Sequence, residues 1–312
     1  PWKGLYVTHV RYKKGVLWGL REAVEIARRA ETPLHVSHLK ADRAEDVESL
    51  LEYIDRVAVN EVDFSFDVYP YVPGSTMLHS LLPYEVWEDG PLGVLPKLIR
   101  PEIRRRVGWS LRGRRAKLAQ VRIAWTQSAA NRSRLGMSIA DYAEEVGKSL
   151  EDAVCDLLIE ENLAVLAVFD RGEDRLVEPF LQHPRFMLGS DGIYFEDGLI
   201  HPRCHGSAPR VLGPMVRDRE LFSLEEAVRK LSGFPASRFG LTDRGVLQEG
   251  AFADLAVFDP ATITDRATYE EPHQLSRGVR WVFVNGVQVV TDGEPVTEFA
   301  SHPPGRSLRF HD

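Results

Sequence analysis

Short apolar runs alternate with longer stretches whose apolar positions recur at helical spacing from Leu5 to Val68. Leu5-Tyr6-Val7-Thr8-His9 reads as a strand, and the segment from Gly15 to Ala27 places Val16, Leu17, Leu20, Ala23, Val24 and Ala27 on one helical face. Pro33 introduces a second strand, Leu34-His35-Val36-Ser37-His38, and Ala44 to Val57 repeats the helical spacing through Val47, Leu50, Leu51 and Ile54. A third strand is expected from Val62 to Val68. Strands separated by helices of this length pair in parallel through right-handed crossovers, the repeating unit of a barrel or a doubly wound sheet. The units are too few to close a barrel.

From 77 to 165 the rhythm gives way to an insertion expected to be mostly helical. It holds a basic run from Arg104 to Arg115, read as a solvated face, and Ser149-Leu150-Glu151-Asp152 leading into an apolar helix from Ala153 to Ile159. Phe186-Met187-Leu188 then forms another strand, running into Gly189-Ser190-Asp191-Gly192 and a loop rich in Gly, Pro and His. Ser223-Leu224-Glu225-Glu226 is a capping box that opens a helix to about Leu231. After Gly245 the pattern changes to short β segments, with Asn285-Gly286 as the hairpin turn between Trp281–Val284 and Val287–Val290. The tail from Ser301 is expected to be extended.

Composition narrows the function classes. With 312 residues, 44% of them hydrophobic, the chain can bury the core of one large domain and a small one. A net charge of −7, with no Lys/Arg run interleaved with aromatics, excludes a broad nucleic-acid groove. No apolar stretch reaches about 18 residues, so no membrane span is expected, and no basic-then-apolar leader opens the chain. Cys155 falls in an amphipathic helix and Cys204 in a loop, which points to two free thiols, a reducing compartment and a cytoplasmic location.

His9 and His38 carry the candidate chemistry, because each closes an apolar run at the end of successive parallel strands. In a parallel barrel the active site is built at that end of the strands. A hydrolytic zinc site needs neutral imidazoles to hold the metal and a carboxylate to take a proton from water, and Asp191 stands at a third strand end. A lone histidine is more often a hydrogen-bonded structural residue, but three suitable groups at three strand ends point to metal-assisted hydrolysis. His35, three residues before His38, faces the other way and reads as structural.

Longer motifs surround these residues: Tyr6-Val7-Thr8-His9-Val10-Arg11, Val36-Ser37-His38-Leu39-Lys40, the run from Asp67-Val68-Tyr69-Pro70-Tyr71 through Gly74-Ser75-Thr76, Gly189-Ser190-Asp191-Gly192, and His201-Pro202-Arg203. Together they closely resemble the N-acyl-D-amino-acid deacylases, the D-aminoacylases of the zinc amidohydrolase superfamily. The resemblance continues through Phe239-Gly240-Leu241, Ala253-Asp254-Leu255 and Asp259-Pro260-Ala261-Thr262-Ile263, and so covers nearly the whole chain.

It implies an α/β fold: a distorted (β/α)8 TIM barrel of which residues 1–240 hold about strands five to eight, and a small β-sandwich of which 241–312 form the C-terminal part. It implies that His9 and His38 are Zn2+ ligands and that Asp191 is the catalytic acid/base. Lys40, Tyr69, Ser75 and Arg203 match positions that handle the substrate carboxylate and scissile amide. An amino-acid carboxylate suits an arginine fork joined by a lysine point charge. The expected reaction is zinc-dependent hydrolysis of small N-acyl-D-amino acids, with Arg171 near the substrate side chain favouring acidic ones. Arg11 has two readings, orienting the site or pairing structurally, and His201 and His205 are candidates to line the mouth.

The family's His-x-His pair and cysteine ligand are not in this sequence and are expected upstream of Pro1, which leaves the activity of this chain alone open. Tyr12 and Lys13 replace an acidic pair that the family commonly carries. A dihydroorotase- or dipeptidase-like amidohydrolase and a catalytically inactive scaffold remain as alternatives at this level, and the oligomeric state is not specified.

Overall fold

Leu34, Val36, Phe64, Phe66 and Phe186 are fully buried, because alternate residues of adjoining strands line one face of a sheet and pack against helices. The computed structural model describes residues 4–12, 14–112, 118–169, 172–299 and 302–308. Its first unit runs β1 (Tyr6–Thr8), α1 (Val16–Ala30), β2 (Leu34–Val36), α2 (Ala44–Tyr53) and β3 (Phe64–Val68). The strands pair in parallel, with Tyr6 opposite Leu34 and Leu34 opposite Phe64.

Helix α1 buries Leu20, Ala23, Val24 and Ala27, the stripe read from the sequence, and stops where Glu31 turns left-handed at φ 50°. Helix α2 continues through a π turn at Ile54–Ala58.

The segment after β3 is rich in helices and also holds strands, one inside 77–165 and two at its edges. Between and beside the helices lies a three-stranded antiparallel sheet of β4 (Gly74–Met77), β5 (Val121–Thr126) and β6 (Val165–Phe169), with β6 central. Continuous runs such as Val165-Leu166-Ala167-Val168 give no period that separates a buried strand from a buried helix. Helices α3 (Pro101–Arg112), α4 (Ile139–Glu145) and α5 (Leu150–Glu160) pack with this sheet around a second core that includes Leu98, Val107, Ile123, Val154, Leu157 and Ala167. Of the basic run, Arg105, Arg106 and Arg112 are exposed as expected and 113–115 lie outside the described residues, whereas Arg104 reaches Asp152 at 2.9 Å and Asp156 at 2.5 Å, tying α3 to α5.

The chain then returns to the first sheet as β7 (Phe186–Leu188), parallel to β3 with Phe66 opposite Phe186, to give the order β1-β2-β3-β7. Helix α6 (Arg203–Leu212) follows, and α7 (Leu224–Leu231) opens at Ser223, whose hydroxyl accepts the Glu226 N–H as the capping box requires. Strands β8 (Leu255–Phe258), β9 (Val279–Val284), β10 (Val287–Thr291) and β11 (Glu294–Pro295) form a separate antiparallel sheet. Asn285 and Gly286 both have positive φ, 50° and 80°, which suits the two-residue hairpin between β9 and β10. Among the described residues no helix is long and apolar enough to cross a membrane.

Candidate functional site

Four strand ends of the parallel sheet deliver the candidate side chains. The strands stop earlier than the apolar runs suggested, at Thr8 and Val36, so His9 and His38 stand in the loops just beyond them. His9 Nδ1 and His38 Nε2 face one another at 2.7 Å, with ring centroids 4.5 Å apart. Only one of the two nitrogens can carry a proton in that contact if both rings are neutral. His9 is held below the ordinary imidazole range by burial and by the adjacent His38, with Asp191 acting in the opposite direction.

His38 and Asp191 both have left-handed backbones, at φ 41° and 48°, a conformation that non-glycine residues keep only when their surroundings enforce it. The Tyr12 hydroxyl lies 3.3 Å from His38 Nδ1, and its ring meets that of His9 edge-on. Burial holds this phenol well above its usual range, so it remains a neutral hydrogen-bonding group.

Cationic groups flank the pair toward β3 and β7. Arg203, fully buried at the start of α6, places Nη1 3.0 Å from Asp191 Oδ2, donates from Nη2 to the Ser75 carbonyl at 3.1 Å, and stacks its guanidinium 4.3 Å from the Tyr69 ring centre. Its Nε is buried without a partner.

Lys40 donates to the Tyr69 hydroxyl at 2.6 Å and to the carbonyls of Val72 and Pro73 at 2.6 and 3.1 Å. Burial, and then Arg203, push its ammonium down to about 7, although the oxygens around Nζ favour the charged form. Burial raises the Tyr69 phenol to about 12, against the pull of Arg203.

Lys40, Tyr69, Asp191 and Arg203 are thus joined in one polar network beside the two imidazoles. Ser75 reaches it differently from the expectation: its hydroxyl donates to the Ala167 carbonyl of β6 at 3.0 Å, and its own carbonyl meets Arg203.

Other candidates turn out to be struts. Arg11 forms a two-pronged pair with Glu22 of α1 at 2.7 and 2.6 Å. His201 is buried, with Nδ1 accepting the Arg203 N–H and Nε2 3.2 Å from the Pro73 carbonyl, and burial together with Arg203 drives it down to about 2. His205 sits among the rings of Tyr194 and His273. Arg171 and Lys13 lie outside the described residues.

Asp67 opens one of the motif runs, but motif reading assigns it no role. One of its oxygens accepts the His38 N–H and the other faces His35 Nε2, each at 2.8 Å. The signal available was a carboxylate inside the apolar strand Phe64-Ser65-Phe66-Asp67-Val68.

Two imidazoles whose ring nitrogens face each other at 2.7 Å fit part of a zinc ligand set, which takes three or four protein ligands. Among the described residues no three His, Cys, Asp or Glu side chains gather closely enough to hold an ion by themselves.

Comparison with known proteins gives a consistent set of relatives. Residues 8–290 match the amidohydrolase family. The chain is 36% identical over 293 residues to a D-aminoacylase of Alcaligenes xylosoxydans xylosoxydans, covering 92% of this chain and 51% of that protein. It is 33% identical over 310 residues to an N-acyl-D-glutamate deacylase of the same organism, covering 98% of this chain and 54% of the relative. The crystal structure of N-acyl-D-glutamate deacylase from Bordetella bronchiseptica, complexed with zinc and a phosphonate mimic of the tetrahedral intermediate, superposes with a TM-score of 0.73 at 32% identity, covering 94% of this chain and 55% of that one. The chain therefore spans about half the length of the curated relatives it matches.

Proposed function

The chain belongs to the amidohydrolase family, and from that premise we propose that it forms part of a zinc-dependent enzyme hydrolysing the amide bond of N-acyl-D-amino acids. The observation that carries this reading is the pair of imidazole nitrogens facing each other at 2.7 Å beside the Asp191–Arg203 ion pair. Under this reading the β1-β2-β3-β7 sheet is strands five to eight of a (β/α)8 barrel within residues 1–240, 77–165 is the insertion, and 241–312 belongs to a small β-sandwich.

His9 and His38 would hold the zinc as two of its ligands, the remaining donors coming from the part of the relatives' length that this chain does not span. When bound, the metal polarises the acyl carbonyl and acidifies water. Asp191 accepts the proton of the attacking water and returns it to the nitrogen of the leaving amine. Arg203 orients Asp191 and, with the Lys40 ammonium, holds the substrate carboxylate. Tyr69 is placed by Lys40 to donate toward the scissile amide, and Ser75 serves through the carbonyl that fixes Arg203. Arg171 selects acidic side chains.

The test is metal titration and hydrolysis of N-acetyl-D-leucine, -D-glutamate and -D-aspartate, on this chain and on a form extended to the length of the relatives. Zinc uptake lost in His38→Ala, with turnover of at least one D-substrate in the extended form, is the expected result. A zinc-loaded extended protein that turns over none of them would overturn the reading. An unchanged glutamate-to-leucine preference in Arg171→Ala would remove that assignment alone.

A further inference from the structure

We propose that Asp67, braced from beneath by His35 and Ser65, is the positioning residue that fixes the His38 imidazole for metal binding, an inference that rests on His38 being a ligand. Three consecutive amides at the end of β2 are anchored by neighbouring strands. Ser37 N–H donates to the Thr8 carbonyl at 3.0 Å, Leu39 N–H to the Asp67 carbonyl at 2.9 Å, and His38 N–H between them to the Asp67 carboxylate at 2.8 Å. The middle bond differs in kind, because its acceptor is a side chain where the flanking amides find backbone carbonyls, and it falls at a residue with a left-handed backbone.

Asp67 is itself held. Its second oxygen faces His35 Nε2 at 2.8 Å, and His35 Nδ1 faces the Ser65 hydroxyl at 2.8 Å, with both His35 and Ser65 buried. Each group in the line Ser65–His35–Asp67–His38 has its partner, so the carboxylate has little freedom to turn. The His38 N–H is part-buried, and losing its acceptor leaves a partly desolvated donor unpaired at a left-handed turn. Tyr12 acts on the imidazole itself, its hydroxyl 3.3 Å from Nδ1, whereas Asp67 acts on the backbone that carries the ring. Groups that orient the ring of a metal-binding histidine are worth about 10- to 100-fold in metal affinity, and Asp67 would exert that control through the backbone that carries the ring.

Asp67→Asn separates positioning from charge. The carboxamide oxygen can accept from His38 N–H and its NH2 can donate to His35 Nε2, provided the His35 proton moves to Nδ1 and is donated to Ser65. Asp67→Ala removes both bonds. The experiment measures backbone amide exchange at His38 by NMR in the intact chain, and zinc affinity by competition titration in the same samples, for parent, Asp67→Asn and Asp67→Ala.

The expected result is a His38 amide protected in parent and Asp67→Asn but exchanging at least about 10-fold faster in Asp67→Ala, with zinc affinity about 10- to 100-fold weaker only in the alanine variant. Equal His38 protection in all three would overturn the proposal, as would loss of protection with zinc affinity unchanged. If the parent binds no zinc, the metal-ligand reading of His38 fails, and the amide exchange still decides whether Asp67 fixes the turn.

Discussion

The guanidinium of Arg203 and the carboxylate of Asp191 meet at 3.0 Å across a boundary, the arginine side chain having no exposure and the aspartate retaining 38%. The buried partner carries the burden of that arrangement, because its desolvated guanidinium is compensated by Asp191, the Ser75 carbonyl and the Tyr69 ring. Arg203→Lys keeps the charge but loses the fork, and is expected to lower the unfolding free energy by about 1–3 kcal/mol. Urea denaturation of parent and variant checks this, and an unchanged midpoint would count against the pair as described. Under the proposed function, in which Asp191 transfers the proton, Asp191→Asn is expected to cost about 100- to 10,000-fold in turnover of the extended, zinc-loaded form.

Lys40 gives the chain a pH signature. Its folded pKa, near 7, lies below the ordinary 10.5. Between those values the unfolded chain binds the proton and the folded chain does not, so this group makes stability rise as pH increases from about 7 toward 10. Lys40→Met is expected to flatten that rise in thermal unfolding followed at pH 7 and pH 9. Under the proposed function substrate binding runs the other way: if the Lys40 ammonium holds the substrate carboxylate, its loss above pH 7 raises KM. A parent curve that falls over this window, with no difference from Lys40→Met, would contradict the assignment.

Gly189 is needed for the space it leaves. A Cβ there would lie 2.4 Å from Asp67 Oδ1 and 2.5 Å from its Cγ, and the Gly189 backbone is not in the left-handed region. Gly189→Ala is therefore expected to act by crowding, displacing the Asp67 carboxylate at a cost of about 1–3 kcal/mol. Chemical-shift changes at the His38 and Asp67 amides report the displacement. A variant with parental stability and shifts would show that the contact yields freely.

The two thiols are free and differ in access. Cys155 is fully buried in α5, where burial pushes its pKa up to about 12. Cys204 is half-buried near the start of α6 and also raised, with Sγ 3.5 Å from the Ile193 carbonyl. Only thiolate reacts, so both are expected to alkylate slowly with iodoacetamide at pH 8, Cys204 first and Cys155 only after unfolding in urea. Peptide mass mapping at intervals measures the order, and native labelling of Cys155 as fast as Cys204 would refute it.

The sequence by itself determined those features that depend on local spacing. Helical periodicity located α1 and α2, Ser223 and Glu226 marked the start of α7, and Asn285-Gly286 set the β9–β10 hairpin, because each follows from backbone geometry within a few residues. It also placed His9, His38 and Asp191 near strand ends, since an apolar run that stops at a polar side chain is itself local information.

Tertiary structure decided the rest. Buried runs such as Val165–Phe169 became strands only through pairing with β4 and β5. Arg11 became a helix brace, His201 a buried strut and Ser75 a carbonyl support, because the partner of each polar group is fixed by which elements pack beside it. Asp67 reaches the His38 amide across 29 positions of sequence, and only the parallel pairing of β2 with β3 brings that carboxylate within hydrogen-bonding distance.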